Sequence, residues 1–315
     1  MSVISAGIKP SSILNFDRHG NMLRASKLDN ENRIVICNYK RKGRTMIPKL
    51  LCVVGVLAMF SLAHAEPVSD PIETWKGKTV LIFTPHPDDD TFLCGGIMKI
   101  LADNGNNIQI VIYTNDDKGS RDLEMTSERL ARIRRAEEEK ACEILGIPSK
   151  NITWLGYEDG NLEYADPQRL RGEAARLMKI HRPDAVFSVD PGSTHERWIK
   201  TDHRMAAAIT QDAFIASEWH LYYPQHLLDE DLKPYHVPLA YFYYTVEPNV
   251  TIDITKVFEF KVKASAAHTS QFEPSVDKYT PEMSEEAFAA IKDWMTKESD
   301  DNGRMVEKFR RVEWP

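Results

Sequence analysis

Apolar residues gather in four short runs, at 80–83, 108–113, 151–157 and 185–189. Their length and β-branched content predict strands buried on both faces. Between them the apolar positions recur at helical spacing, which predicts helices over about 91–103, 126–145 and 167–181, and then about 203–217. Thr126 or Ser127 can cap the long helix, Leu130, Ile133, Ala141, Ile144 and Leu145 form its apolar stripe, and Gly146 ends it. Pro183 closes the next helix. Strand alternating with helix through short links implies an α/β fold: a Rossmann-like three-layer sandwich with a mostly parallel sheet. Beyond residue 220 the pattern is less regular. Strand-like segments at 240–245 and 250–254 and helical patterns at 255–269 and 281–297 predict a smaller irregular C-terminal part.

The first 65 residues differ from the rest. From Met46 a basic flank leads to the apolar run 50–62 and then Ala63-His64-Ala65, the pattern of a secretory signal peptide. The run is short for a transmembrane helix. Met46 is the expected start, 1–45 a mis-called or disordered extension, 46–65 the signal and 66–315 a single domain, placed in the periplasm or outside the cell. Of 40 basic and 47 acidic residues, 10 and 3 fall in 1–65, leaving 30 against 44 and a net charge of −14. That excess of acid argues against a nucleic-acid partner. Cys94 and Cys142 belong to no C-x-x-C pair and read as buried thiols rather than a disulfide.

The chemistry concentrates where the first strand ends, at His86-Pro-Asp-Asp-Asp90. This segment occupies the place of a dinucleotide-binding glycine fingerprint, so no dinucleotide site is expected. In open α/β sheets, ligands bind at the carboxyl edge of the strands. Three consecutive acids repel one another unless solvated or balanced by a counter-charge. His86 with Asp88 or Asp89 can reach one divalent cation, and imidazole plus carboxylate suits zinc. The plainer alternative is that the acids cap the following helix. His203, in Thr201-Asp-His-Arg204, begins the helix after the fourth strand and so belongs to the same sheet edge, with Asp202 able to position it.

With these segments in order, the chain from about 79 to 272 resembles the LmbE-like, or PIG-L-type, family of zinc-dependent de-N-acetylases. The resemblance is carried by His86-Pro-Asp-Asp-Asp90 with Cys94-Gly-Gly96, Thr114-Asn-Asp-Asp-Lys-Gly119, Arg134-Arg-Ala-Glu137, Leu155-Gly-Tyr-Glu-Asp-Gly160, Thr201-Asp-His-Arg204, and Lys263 with His268-Thr-Ser-Gln271. It implies that His86, Asp89 and His203 hold one Zn²⁺ per chain and that Asp88 is the general base. The implied reaction removes an acetyl group from an amino sugar or glycoconjugate. Two departures stand out. Asp90 replaces the family's usual glutamate, and Lys200 stands where a histidine often precedes the last ligand. Lys200, His195 or a late histidine such as His268 is then the candidate to stabilise the oxyanion or protonate the leaving amine. Asp117, Arg134 and Asp190 are candidates for substrate contact. Alternatively, Arg134 and Glu137 pin the long helix near the site or form a surface ion pair. The aromatic clusters 219–223 and 241–244 suit stacking on sugar rings, core packing or a homo-oligomer contact. Other readings are an amidase acting on another acylated amine, a carbohydrate-binding module without catalysis, and a Mg²⁺ phosphoesterase.

Overall fold

The computed structural model describes residues 15–16, 22–23, 70–192 and 200–314. The chain divides into two units, 1–62 and 63–315. In the first, Asn15–Phe16 pairs antiparallel with Met22–Leu23. The signal segment and His195 lie outside the described residues. Among the described residues no helix is long and apolar enough to cross a membrane.

The second unit is built on β1 (Thr79–Thr84). Its side chains alternate between two cores: Val80 and Ile82 point to one face, Leu81 and Phe83 to the other. All four are at most 1% exposed, and each contributes about 1.5–3 kcal/mol of burial. The chain then runs α1 (Asp89–Asp103), β2 (Asn107–Thr114), α2 (Ser127–Leu145), β3 (Ile152–Tyr157), α3 (Pro167–His181), β4 (Ala185–Val189) and α4 (Thr201–Glu218). Thr126 caps α2 by accepting from the Arg129 N–H, and Gly146 closes it at φ 87°, where a side chain would be strained. Asp166 caps α3 with Pro167 in its first turn.

The remaining elements are a short α5 (Pro224–Leu228), β5 (Leu239–Tyr243), β6 (Val250–Asp253), α6 (Phe258–Ala266), α7 (Glu285–Thr296) and β7 (Val306–Glu313). All seven strands form one sheet in the order β3-β2-β1-β4-β5-β7-β6. The first five are parallel, and β7 and β6 add antiparallel. Residues from α1, α2, α6 and α7 pack on one face, and those of α3 and α4 on the other. The C-terminal part is therefore more regular than its sequence suggests, because β5, β6 and β7 extend the main sheet. Strand β7 escapes the hydrophobic pattern, since Lys308, Arg310 and Arg311 interrupt it.

Strand β1 lies between β2 and β4, so chain order reverses there. The crevice beyond the carboxyl ends of β1 and β4 is the place where such sheets bind ligands. The loop after β1 and the start of α4 meet in that crevice.

Candidate metal centre and active site

His86 leaves β1 on the turn that precedes α1, Asp89 opens α1, and His203 sits in the first turn of α4. All three are buried and offer ligand atoms within 4.8 Å of one another. His86 Nδ1 lies 3.2 Å from Asp89 Oδ2, and His203 Nε2 lies 3.1 Å from Asp89 Oδ1. One carboxylate thus faces two imidazole nitrogens. The Tyr244 hydroxyl donates to Asp89 Oδ1 at 2.9 Å.

The other nitrogen of His86 faces a different group. His86 Nε2 is 3.1 Å from Asp202 Oδ2 and 3.2 Å from Asp159 Oδ1. These three also form a possible cation cluster. However, both Asp202 oxygens are engaged by backbone donors, Gly160 N at 2.7 Å and Leu162 N at 3.0 Å. Asp159 in turn accepts from Lys118 N at 3.1 Å. Carboxylates held this way orient a histidine, fixing its tautomer and leaving Nδ1 for a metal. Asp202, read from the sequence as a support for His203, thus supports His86.

The electrostatics agree with a cation at this place. Asp88 and Asp116 pair with Arg134, while Asp89, Asp159 and Asp202 all face His86, so acids outnumber permanent cations among these residues. Burial opposes the His86 imidazolium, but Asp159, Asp202 and Asp89 outweigh it and hold its pKa well above the usual range. Burial likewise raises Asp89, yet His203 and His86 overcome it and hold this carboxyl well below its ordinary value. Two imidazoles, one carboxylate and a surplus of negative charge fit a zinc-class ion.

Asp88 precedes Asp89 at φ 122°, a conformation rarely adopted by residues other than glycine. Arg134 holds it there. The guanidinium donates to Asp88 Oδ2 at 2.8 Å, to the Pro87 carbonyl and to Asp116. Burial raises the Asp88 carboxyl to about 6, against the pull of Arg134. Glu137 lies 3.6 Å from Arg134 and accepts from the Ser270 N–H and hydroxyl, both at 2.7 Å. The pair is therefore buried and pins α2 to the site, and is not a surface ion pair.

Other sequence candidates are placed differently. Arg134, only 1% exposed, pairs with Asp88 and Asp116. Asp190 is buried in a two-point pair with Arg310, at 2.8 and 2.5 Å. Asp117 is near the surface, 3.3 Å from Lys118 Nζ. Lys200 is exposed just before α4. His268 is fully buried, 3.6 Å from Glu138 and against the Phe92 ring, and is not brought to the imidazole pair. Asp90 is also fully buried, and burial raises its carboxyl to about 7. Tyr244 was missed as a site residue. It lies within an aromatic run whose pattern gives no sign that one hydroxyl leaves the core for Asp89.

Residues 81–214 match the family model described as GlcNAc-PI de-N-acetylase (PIG-L). A diacetylchitobiose deacetylase of Thermococcus kodakarensis is 33% identical over 70% of this chain and 78% of its own length. A probable N-acetyl-alpha-D-glucosaminyl L-malate deacetylase of Bacillus cereus is 25% identical over 75% of this chain and 98% of its own. Among solved structures, N,N'-diacetylchitobiose deacetylase from Pyrococcus horikoshii superposes with a TM-score of 0.64 at 31% identity, covering 75% of this chain and 84% of that one. These likenesses place this chain among the hydrolases of amide C–N bonds. It belongs to the PIG-L family of de-N-acetylases.

Proposed function

We propose that this chain removes the N-acetyl group from an N-acetylglucosamine-containing glycan or conjugate, using one Zn²⁺ held by His86, Asp89 and His203. The observation that carries this reading is the Asp89 carboxylate shared by two imidazoles, with Asp88 fixed beside it. The relatives named above act on acetylated glucosamine compounds. Zinc bound there supplies Lewis acidity, lowering the pKa of a water and polarising an amide carbonyl.

The chain's own residues do the rest. Asp88 takes a proton from the attacking water, and its pKa of about 6 suits a base near neutral pH. Arg134 keeps that carboxylate in place, while Asp159 and Asp202 fix the His86 ring. Lys200, exposed three residues before His203, donates to the developing oxyanion or to the leaving nitrogen. Water oxygen joins the acyl carbon, the C–N bond breaks, and the nitrogen gains a proton, giving acetate and a free amine. Export by the segment 46–65, with the mature domain working outside the cytoplasm, belongs to the same proposal.

The test is acetate release from a panel of N-acetylglucosamine oligomers and conjugates, with and without a chelator. Zinc-restored release is expected. Magnesium-dependent phosphate release, with no acetate from any member, would overturn the reading.

A further inference from the structure

A second group of ligand-type side chains shares no member with the imidazole centre. Asp90 lies in the first turn of α1, Glu138 and Cys142 lie one turn apart on α2, and His268 follows α6. Each is 0% exposed. Donor atoms of Asp90, Glu138 and Cys142 lie within 4.8 Å of one another. His268 is not one of these three; its Nε2 lies beside them, 3.6 Å from Glu138 Oε2, too far for a hydrogen bond.

The polar atoms here are poorly satisfied. The Cys142 thiol meets Glu138 Oε1 at 3.2 Å. Glu138 Oε2 and both ring nitrogens of His268 have no hydrogen-bond partner among the described residues, and neither oxygen of Asp90 meets a side-chain partner. Leaving one such buried group unmatched costs about 1–3 kcal/mol, and folded proteins satisfy nearly all of them. The second Glu138 oxygen and the His268 ring are unmatched beside a thiol and a further carboxyl, and the four groups, converging from three segments, share one remedy.

We infer that Asp90, Glu138 and Cys142 form a second, structural site for a zinc-class transition-metal ion, with the neighbouring His268 imidazole drawn in as its fourth donor. One thiolate, one imidazole and two carboxylates make a closed set of four, the number a structural zinc takes without leaving a place for water. Sulfur and nitrogen donors select zinc-class ions over magnesium or calcium. The spacing of Glu138 and Cys142, four residues apart on one helix, presents both from the same face. Binding exchanges the protons of the acids and the thiol for the dication. The ion would tie the first turn of α1 to α2 and to the turn after α6, bracing the loop that carries Asp88 and Asp89. The inference is independent of the proposed reaction.

Cobalt(II) tests it, because thiolate–cobalt ligation gives a charge-transfer band in the near ultraviolet and the imidazole centre has no sulfur. The full chain loaded with cobalt is expected to show this band and to hold about two metal equivalents by elemental analysis. The band should vanish in Cys142→Ser, persist in Cys94→Ser, and persist in His203→Ala even if the imidazole centre loses its ion. Absence of the band from the unaltered chain, or its survival in Cys142→Ser, would overturn the inference. Should Cys142→Ser not fold, the combined Cys37→Ser, Cys52→Ser and Cys94→Ser variant leaves Cys142 as the sole thiol. A band there supports the site, and its absence sinks it.

Discussion

Two buried carboxylates, Asp89 at the start of α1 and Glu307 bound to the middle of that helix, behave in opposite ways. Asp89 at the carboxyl edge of the sheet faces two imidazoles and a tyrosine hydroxyl, in a neighbourhood with more acids than cations. Glu307, on β7 at the antiparallel edge, accepts from Gly96 N at 2.7 Å, Ile97 N at 2.8 Å and Lys261 Nζ at 2.7 Å. Its charge is balanced and both oxygens are filled. The glycines matter here: a Cβ on Gly96 would come within 2.5 Å of Ile254, so only glycine permits that approach. A buried acid whose partners close around it is architecture, whereas one left with surplus charge and titratable neighbours is a place for chemistry.

Substitutions can break or sharpen that contrast. The largest effect is expected from His203→Ala. It should strip the ion from the imidazole centre and lower turnover by more than the loss of a general base, which costs about 10²–10⁴-fold, while the fold melts near its usual temperature. Metal analysis beside kinetics checks this. Asp88→Asn should lose about 10²–10⁴-fold in kcat yet keep its metal. If metal is lost as well, the roles of Asp88 and Asp89 are exchanged.

At the other edge the sign reverses. Glu307→Gln leaves Lys261 buried without a counter-charge and should cost about 3–5 kcal/mol of stability, with kcat per folded molecule unchanged. Denaturant titration measures it, and a fall in kcat instead would erase the contrast. The smallest effect is expected at Asp190. Burial raises its carboxyl, but hydrogen bonds from Arg310, Thr245 and Gly192 outweigh this and hold its pKa below the ordinary value. The stability it contributes is full above the unfolded pKa and lost as pH falls through the folded one. Asp190→Asn should therefore cost on the order of 1 kcal/mol at pH 7 and progressively less as pH falls through the folded pKa. Acid-unfolding curves of the two proteins would converge at low pH.

Much of the parallel half was legible in the sequence. Residues 80–83 and 185–189 announce buried strands, and Thr126 and Gly146 mark the ends of α2 within a residue. The place of His86 after the first strand and of His203 after the fourth was enough to bring them to one edge, while the choice of Asp89 over Asp88 came from the family resemblance. What stayed hidden depended on tertiary pairing. Strand β7 carries charges because one of them, Glu307, is neutralised by a residue 46 positions away. Asp202 and Asp159 became partners of His86 only once loops from three strands met. Tyr244 and the buried group around Glu138 had no local signature, since burial of a polar residue cannot be read from its neighbours in sequence.

Asp202 joins two things that are far apart along the chain. Its carboxylate grips the backbone at Gly160 and Leu162 and, through the same oxygen that holds Gly160, the ring of His86. The rim after β3 and the imidazole are in this way one lever. A shift of that rim would therefore pull on the same oxygen that orients the ring.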